Sequence, residues 1–305
     1  MRDISLYNLE SEYVVGDNNN LLSIIRKINE DSVIFKNIEE DYKKDSIKYG
    51  NEYKRANLNF KINLYTYNWL RLKKYFEETL FVEFRLTPDY SKEELKKKGW
   101  MIPQQLINIK IQSSGPAQIT TEDLYMKYFN NYFDALFVFN IGENNSRIDR
   151  YYKQAIFNYK SRNYYSCVVS LFPIIESYHQ EINRFNDDCF YRIKNNLSSV
   201  TDKIKNVNQI FTTKIDYYNK VVEQFNYLAK NYYFKNSIKR NEEPEIINRN
   251  RIMHGVFTRE VSQKDCLQLF CVISNLYVIK DIIDSSDSMD ILKKEIGELK
   301  KEIRE

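Results

Sequence analysis

The chain contains very few residues that interrupt helices. Only 7 Gly and 5 Pro occur among its 305 residues, and turns between β-strands depend on these two residue types. Asn, Lys, Ile, Leu, Tyr and Glu dominate instead, and 43% of the residues are hydrophobic, which is enough for a sizeable core. We therefore predict a predominantly all-α fold.

Apolar residues recur at steps of three and four through the second half of the chain. This spacing predicts helices over residues 148–160, 163–184, 199–234 and 263–284. The first two predicted helices are separated only by the residues "SRN", so we expect them to form an antiparallel hairpin. Ser262 and Asp265 form a predicted capping box at the start of the last helix. Together these helices form a bundle of four or five.

The N-terminal half has weaker patterns. Residues 17–44 and 68–79 have helical spacing, residues 80–86 and 106–112 alternate enough to be short strands, and residues 112–123 are expected to form a loop.

These patterns divide the chain into three predicted parts. Residues 1–94 form an N-terminal regulatory or partner-binding region, residues 95–284 form a helical domain, and residues 285–305 form a short amphipathic helix. In this last part, apolar residues have the alternating spacing of a coiled coil: Met289, Leu292, Ile296, Leu299 and Ile303. The pattern covers about two heptads, so pairing with another chain and packing on its own domain both stay open.

Cysteine usage and hydropathy indicate the compartment. Cys167, Cys189, Cys266 and Cys271 form no CxxC pair, and we expect buried free thiols in a reducing environment. The first 17 residues contain acidic side chains and no apolar run of signal-peptide length, and no uncharged apolar stretch reaches the length of a membrane span. The sequence therefore predicts a cytoplasmic protein that does not associate with a membrane.

Positive charge is concentrated around the two histidines. The net charge is +4, but residues 147–260 contain 19 Lys or Arg and 12 Asp or Glu, a local charge of +7 that leaves −3 for the remainder. This excess is compatible with an anionic partner.

The segment "NRNRIMHG", residues 248–255, combines Arg249, Asn250 and His254. An imidazole can accept and donate protons near neutral pH, and a guanidinium can stabilise negative charge on a phosphoryl group. Beside an RNA backbone these groups could support cleavage without a metal. On an ideal helix residues 249 and 254 point about 140° apart, so their convergence needs a helix end, a kink or a second chain. Alternatively, His254 is a hydrogen-bonded polar residue at the start of a loop.

This segment resembles the signature of the HEPN superfamily, in which an Arg, four to six residues and a His follow one another, commonly with a polar residue after the Arg. Here Asn250 fills the polar position, Gly255 follows the His as in many bacterial members, and the motif precedes the last core helix. The hairpin sequence "AIFNYKSRNYYSCVVSLFPIIESYHQEI" is similar to the hairpin that carries a Pro and a Glu in bacterial members, and "KKKGWMIP" resembles the region before it. The resemblance covers residues 150–284 best.

The resemblance implies a HEPN-type bundle and a metal-independent endoribonuclease that acts as a homodimer on RNA, in antiphage defence by abortive infection or as a toxin. Arg249 and His254 would be the catalytic pair, and Asn250 would orient the His or the phosphate. An antitoxin or another regulatory protein is a further expected partner. Val256 replaces a Tyr found in members that nucleotidyltransferase antitoxins modify, which disfavours that regulation.

Other residues could support this chemistry. Glu176 is expected either to hold Arg249 or to face solvent, and His179 is expected at the bundle edge rather than as a second base. The basic, aromatic segment 230–240 could bind RNA, or it could be a solvated helix end whose aromatic residues face the core. Its candidate residues are Lys230, Tyr232, Tyr233, Lys235, Lys239 and Arg240. No metal-ligand spacing, phosphate-binding loop or dinucleotide motif occurs, so no metal or cofactor is expected. A non-catalytic helical interaction module, or one that binds RNA without cutting it, is the alternative to a nuclease.

Overall fold

A computed structural model describes the chain over residues 18–77, 97–101, 126, 129–138, 147–183, 189, 191–193, 207–236, 245–257 and 259–304. Within these ranges the regular secondary structure is helical and no strand occurs, which confirms the all-α prediction. The predicted strands at 80–86 and 106–112 and the predicted boundary after residue 94 lie outside the described residues, as does the predicted loop at 112–123.

The chain divides into two compact units. The first comprises residues 1–77, 186–211 and 282–305, and the second comprises residues 78–185 and 212–281. The C-terminal helix therefore contributes residues to both units.

Two long helices form the main part of the first unit. Helix α1 covers Asn18–Lys44 and helix α2 covers Ser46–Glu77, so the second begins well before the predicted residue 68. The side chain of Asp45 accepts the backbone N–H of Lys48 at 3.0 Å, which caps the start of α2. Stacked aromatic rings hold the two helices together, with centroid distances of 4.5 Å between Tyr42 and Tyr53 and 5.8 Å between Phe35 and Phe60.

The C-terminal stripe of apolar residues is buried within its own chain. Met289, Leu292 and Ile296 are at most 7% exposed. In the same unit, Lys61 Nζ lies 2.5 Å from Glu295 Oε2, and the amide of Asn68 donates to the Ser288 hydroxyl at 3.0 Å. The two alternatives for this stripe were pairing with another chain and packing on its own domain. In the structure it packs within its own unit.

The second unit is a helical bundle to which six of the described helices contribute. Helix α3 covers Phe133–Phe137, α4 Arg147–Lys160, α5 Tyr164–Ile182, α6 Val207–Leu228 and α7 Arg249–Met253. A π-helical turn, Ala229–Tyr233, extends α6. Helices α4 and α5 form the predicted hairpin. Helix α8, Gln263–Arg304, begins in this unit and continues into the first, so the predicted helices before and after residue 284 are one helix.

An aromatic cluster centred on Phe270 of α8 forms part of the bundle core. Its ring centroid lies 5.1 Å from Phe133, 5.6 Å from Phe137, 5.8 Å from Tyr152 and 5.6 Å from Tyr159. Several of these pairs meet edge to face, which is a favoured geometry for aromatic rings. The cluster thus joins α3, α4 and α8.

Helix α8 has one segment apolar enough to be compared with a membrane span. An 18-residue window reaches a mean hydropathy of 1.6, but 89% of that window is buried inside the protein. The central helix of a protein core meets the same criteria of length and composition, so the segment is weak evidence for a membrane span.

The short segment 97–101 is fixed to the bundle through its backbone. The carbonyl oxygens of three consecutive residues accept hydrogen bonds, from Gln268 at 2.6 Å, Tyr233 at 3.3 Å and Gln224 at 2.6 Å. Gly99, at the centre, has a φ of +85°, a conformation that favours glycine. The segment "KKKGWMIP" was noted to resemble the region before the hairpin, and its described residues are therefore packed in the bundle.

The predicted capping box at the start of α8 is confirmed. The Asp265 carboxylate accepts the Ser262 N–H at 2.8 Å, and the Ser262 hydroxyl accepts the Asp265 N–H at 3.4 Å. Arg259 adds a bidentate pair to the same carboxylate at 2.8 and 2.7 Å and donates to the Glu245 carbonyl at 3.1 Å. Since Asp265 is only 1% exposed, this pair fixes the loop that precedes α8.

All four cysteines are free and buried, as predicted. Burial raises the pKa of the Cys266 and Cys271 thiols well above the ordinary value, which disfavours the reactive thiolate.

Helix α7 ends in a Schellman turn at Gly255. The Val256 N–H donates to the Arg251 carbonyl at 3.0 Å, and the Gly255 N–H donates to the Ile252 carbonyl at 3.2 Å. The turn needs a left-handed residue, and Gly255 has a φ of +66°. Gly255 therefore allows the chain to leave the helix directly after His254.

Helix α4 ends in the same kind of turn, but an arginine takes the left-handed position. The Asn163 N–H donates to the Asn158 carbonyl at 2.8 Å, and the Arg162 N–H donates to the Tyr159 carbonyl at 2.9 Å. Arg162 has a φ of +60°, which is unfavourable for a residue with a Cβ. Glycine would adopt this conformation more easily.

Substitutions at the two left-handed positions should change stability in opposite directions. Gly255→Ala introduces a left-handed Cβ and should lower the free energy of unfolding by about 1 kcal/mol, and Arg162→Gly should raise it by up to about 1 kcal/mol. Urea unfolding followed by circular dichroism measures both effects. A shift of both midpoints in the same direction would contradict this account of the turns.

Candidate functional site

The five-residue helix α7 carries the central motif, and Asn248 fixes its start. The Asn248 side-chain oxygen accepts the Arg251 N–H at 3.0 Å, the usual N-cap contact. Its amide nitrogen donates to the carbonyl of Tyr232 and, at 3.2 Å, to that of Lys235. The beginning of α7 is thus attached to the end of the π-helical turn that follows α6.

Arg249 forms an ion pair with Glu176 of α5. The Nε of Arg249 lies 2.6 Å from Oε1 of Glu176, and the two side chains are 29% and 38% exposed. The buried Nε–H has no aligned hydrogen-bond acceptor, so the contact is mainly electrostatic. The structure therefore brings the two side chains together, which is the first of the alternatives given for Glu176.

Asn250 connects Arg249 to the segment after the π-helical turn. Its side-chain oxygen accepts a hydrogen bond from Nη1 of Arg249 at 3.2 Å. Its amide nitrogen donates to the Phe234 carbonyl at 3.3 Å and to the Asn236 side chain at 2.8 Å. Asn250 and Glu176 thus contact the guanidinium at different nitrogens, and together they restrict its orientation.

His254 lies just beyond the last residue of α7. It is the C-cap, with φ −94° and ψ 4°, and its backbone N–H donates to the Asn250 carbonyl at 3.0 Å. The residue is exposed, and no hydrogen bond joins its imidazole to another described residue. The bond from its backbone N–H to Asn250 is the one that continues an α-helix, so the helix end after Met253 does not by itself remove the separation of about 140° expected for the side chains of Arg249 and His254.

Helix α7 contacts α5 at a second place. The hydroxyl of Tyr165, near the start of α5, donates to the Ile252 carbonyl at 3.3 Å. Tyr165 and Glu176 are eleven residues apart, about 16 Å along the axis of α5. Because Arg249 meets Glu176 and Ile252 meets Tyr165, α7 runs toward the start of α5, and His254 follows at that end.

His179 supports the site without facing it as a second base. Its ring stacks on Phe234 at a centroid distance of 5.5 Å with 5° between the planes, and it meets Phe225 edge to face at 5.3 Å. Burial lowers the pKa of His179 below its ordinary value, which favours the neutral ring. The stack holds Phe234, whose carbonyl accepts from Asn250.

The candidate RNA-contacting residues of segment 230–240 do not share one environment. Lys230 and Lys235 are exposed and Tyr232 is partly buried, and the hydrogen bond with Tyr227 raises the pKa of Tyr232 to about 12. Tyr233 is fully buried, and its hydroxyl reaches the backbone of residue 99. Its ring is therefore part of the core, and its proposed contact with RNA bases is wrong.

Lys239 and Arg240, the other two candidates in this segment, lie outside the described residues. Among the residues that are described, no group of three or more His, Cys, Asp or Glu side chains is placed to hold a metal ion.

Two residues that position the candidate site were not singled out from the sequence. Asn248 could have been recognised, because an Asn directly before a short helix is a preferred N-cap. Tyr165 gives no such signal, since its role depends on the approach of α7 to the start of α5.

No protein-family model matches the chain, and the comparisons with curated proteins and with solved structures also found no match. The similarity to the HEPN superfamily consequently depends on the motif and hairpin residues described above.

Proposed function

We propose that the protein is a metal-independent endoribonuclease of HEPN type. The observation that carries this proposal is the arrangement of α7, in which Glu176 and Asn250 hold the Arg249 guanidinium while the His254 imidazole is exposed at the end of the same helix. A fixed cation and an accessible proton acceptor are the two groups that cleavage of an RNA phosphodiester requires when no metal takes part.

In the proposed reaction, His254 removes the proton from the RNA 2′-hydroxyl. The 2′-oxygen then attacks the adjacent phosphorus, and the bond from phosphorus to the 5′-oxygen breaks. The 5′-oxygen takes up a proton, and the products are a 2′,3′-cyclic phosphate and a 5′-hydroxyl. Arg249 stabilises the negative charge that develops on the phosphoryl oxygens, where a preorganised cation lowers the barrier most effectively.

Glu176 and Asn250 act through Arg249 in this scheme. A guanidinium held at two positions loses less freedom when the transition state forms, so more of its electrostatic attraction contributes to rate. The neutral, stacked His179 leaves His254 as the acid and base group of the site.

The biological role that we propose is antiphage defence by abortive infection or toxin activity in the cytoplasm, with the chain acting as a homodimer on RNA. A homodimer would place two Arg249 and His254 pairs around one cleft, and the second His254 could supply the proton for the 5′-oxygen. An antitoxin or regulatory protein would restrain such an enzyme.

A non-catalytic interaction module or a module that only binds RNA is the second candidate. The exposure of two large side chains near His254 favours a contact surface at this place. Met253 is 47% exposed and Tyr165 is 51% exposed. Exposed apolar side chains at one place are typical of protein interfaces, and a dimer interface around the site would also account for them.

Cleavage of a mixed single-stranded RNA in the presence of EDTA tests the catalytic proposal. The wild-type protein should produce 2′,3′-cyclic phosphate and 5′-hydroxyl ends. His254→Ala should reduce the rate by about 10² to 10⁴ fold, and Arg249→Ala by about 10² to 10³ fold.

The matched control is Arg150→Ala, because Arg150 is an exposed arginine of α4 outside the motif. It should cleave like wild type. Cleavage that persists in His254→Ala, or that requires a divalent metal, contradicts the mechanism. If no form cleaves RNA and cells that express each form grow alike, the interaction module becomes the better explanation.

Glu176→Gln tests the positioning of Arg249. The substitution keeps the size of the side chain and removes its charge, so kcat should fall about tenfold while KM changes less than twofold. Because the ion pair is partly exposed, the free energy of unfolding should change by less than about 1 kcal/mol. Glu176→Asp should restore part of kcat. A large loss of stability without a change in kcat would instead assign Glu176 a purely structural role.

Sedimentation velocity tests the homodimer. At micromolar concentration the protein should sediment as a species of twice 36.8 kDa, and the specific cleavage rate should fall on dilution as the dimer dissociates. A monomer with full, concentration-independent specific activity would show that one Arg249 and His254 pair acts alone.

A further inference from the structure

A polar cavity lies in the same unit as the motif, where α4 turns into α5. It has a volume of about 390 Å³ and is bordered by residues 130, 131, 133 and 134, by residues 159, 160, 162 and 164, and by the first residue of α8. This volume falls within the range of roughly 300 to 1,000 Å³ found for small-molecule sites. Nothing in the proposed cleavage mechanism uses it.

A network of fixed amide groups forms one wall of the cavity. Asn130 and Gln263 donate reciprocally to one another at 3.3 and 2.8 Å. The Tyr159 hydroxyl donates to Asn130 at 2.5 Å and accepts from Gln263 at 3.1 Å. Burial strongly raises the pKa of Tyr159, so its hydroxyl stays protonated and the direction of these bonds is fixed.

The network leaves a donor and an acceptor unused. One N–H of Asn130 and one lone pair of the Gln263 oxygen have no partner within it, and the Tyr159 hydroxyl retains a second lone pair. Asn131 borders the same cavity. A neighbouring N–H donor and oxygen acceptor match the edge of a nucleobase, which presents an acceptor beside a donor. Tyr164 also borders the cavity, and a tyrosine ring can stack on a base.

The charge of the cavity matches one phosphodiester group. Lys160 Nζ is 2.7 Å from the Asp134 carboxylate, so these two charges offset each other. Arg162 is exposed, and no ion pair joins its guanidinium to another described residue. The remaining charge is therefore +1, which fits the single negative charge of a phosphodiester better than the several charges of a nucleoside triphosphate.

Arg162 occupies its position at a cost in backbone conformation. Its φ of +60° places an arginine where glycine would be more stable, and strain of this kind is commonly found at functional positions. The α4–α5 turn is also the end of α5 toward which α7 and His254 run, as the contact between Tyr165 and Ile252 shows.

We propose that this cavity binds one unpaired nucleotide of the RNA strand that His254 cuts, with Arg162 on its phosphodiester and Asn130 and Gln263 on its base. This inference rests on the proposed function. It adds a site that positions the strand and is separate from the groups that break the bond. Arg162 and Gln263 are positioning residues in this scheme, since they touch a nucleotide away from the reacting phosphorus.

Fluorescence anisotropy with a labelled single-stranded RNA of mixed sequence tests the proposal. The parent protein carries His254→Ala so that the RNA stays intact. Adding Arg162→Gly should weaken binding about tenfold and reduce the salt dependence of the affinity by about 0.7 in logarithmic slope, the value for one lost phosphate contact on a single strand. Adding Gln263→Leu should weaken binding about fivefold.

Arg150→Gln, which changes an exposed arginine outside the cavity, is the matched control and should leave the affinity within twofold. Arg162→Gly is not expected to lower the urea midpoint, so a loss of affinity with an unchanged or higher midpoint reports the site rather than unfolding. If the protein with Arg162→Gly binds RNA with the same affinity and salt slope as the parent, the proposal is overturned.

A competition with nucleoside 5′-monophosphates identifies the source of the nucleotide. If the monophosphates displace the labelled RNA only at concentrations far above those at which unlabelled RNA displaces it, the result supports a site for an RNA strand. Displacement at similar concentrations would overturn it in favour of a site for a free nucleotide.

The cleavage assay separates this inference from the proposed function. RNA binding that depends on Arg162, without cleavage by any form, would retain the site and reject the nuclease. Cleavage of RNA together with binding that does not depend on Arg162 would retain the nuclease and reject the site.

Discussion

The side-chain amides of Asn248 and Asn250 are the contacts on which the rest of the candidate site depends. A helix of five residues is far too short to be stable alone, because the cost of forming its first turn is not recovered. Helix α7 is held by hydrogen bonds from these two amides to carbonyl groups of residues 232, 234 and 235. Without them neither Arg249 nor His254 would have a defined position.

The segment that accepts these hydrogen bonds is itself held from two sides. Tyr233 is anchored in the core, and Phe234 is stacked on His179 of α5. Glu176 belongs to the same helix as His179 and meets Arg249 directly. Helix α5 thus supports α7 both directly, through the ion pair, and indirectly, through Phe234, which explains how a surface helix can present a fixed guanidinium.

The parts of the fold that could be predicted are those that depend on local sequence. Helical spacing gives the α4–α5 hairpin within one or two residues, and the reciprocal bonds of Ser262 and Asp265 follow from a pattern three residues apart. The pairing of Glu176 with Arg249 was one of two alternatives. It could be considered because an unpaired carboxylate among large apolar residues is costly.

The failures have physical reasons that the residue pattern does not reveal. The π-helical turn after α6 makes Leu228 and Tyr233, five residues apart, face the core together, whereas spacing of three and four places Tyr233 on an exposed basic edge. The sequence predicted separate helices before and after residue 284, but Ser285 and Ser286 are buried. No Gly or Pro occurs between residues 256 and 296, so nothing in this stretch ends the helix, and α8 continues to Arg304.

The turns at Arg162 and Gly255 show how stability and accessibility are balanced around the site. Both end a helix with the same pair of backbone hydrogen bonds and the same left-handed residue. At residue 255 glycine removes the strain and lets the chain turn away, so His254 stays accessible at the helix end. At residue 162 the strain is retained together with an exposed guanidinium beside a polar cavity. If stability alone determined both positions, glycine would be expected at each, and the arginine is therefore better explained by what its side chain can bind.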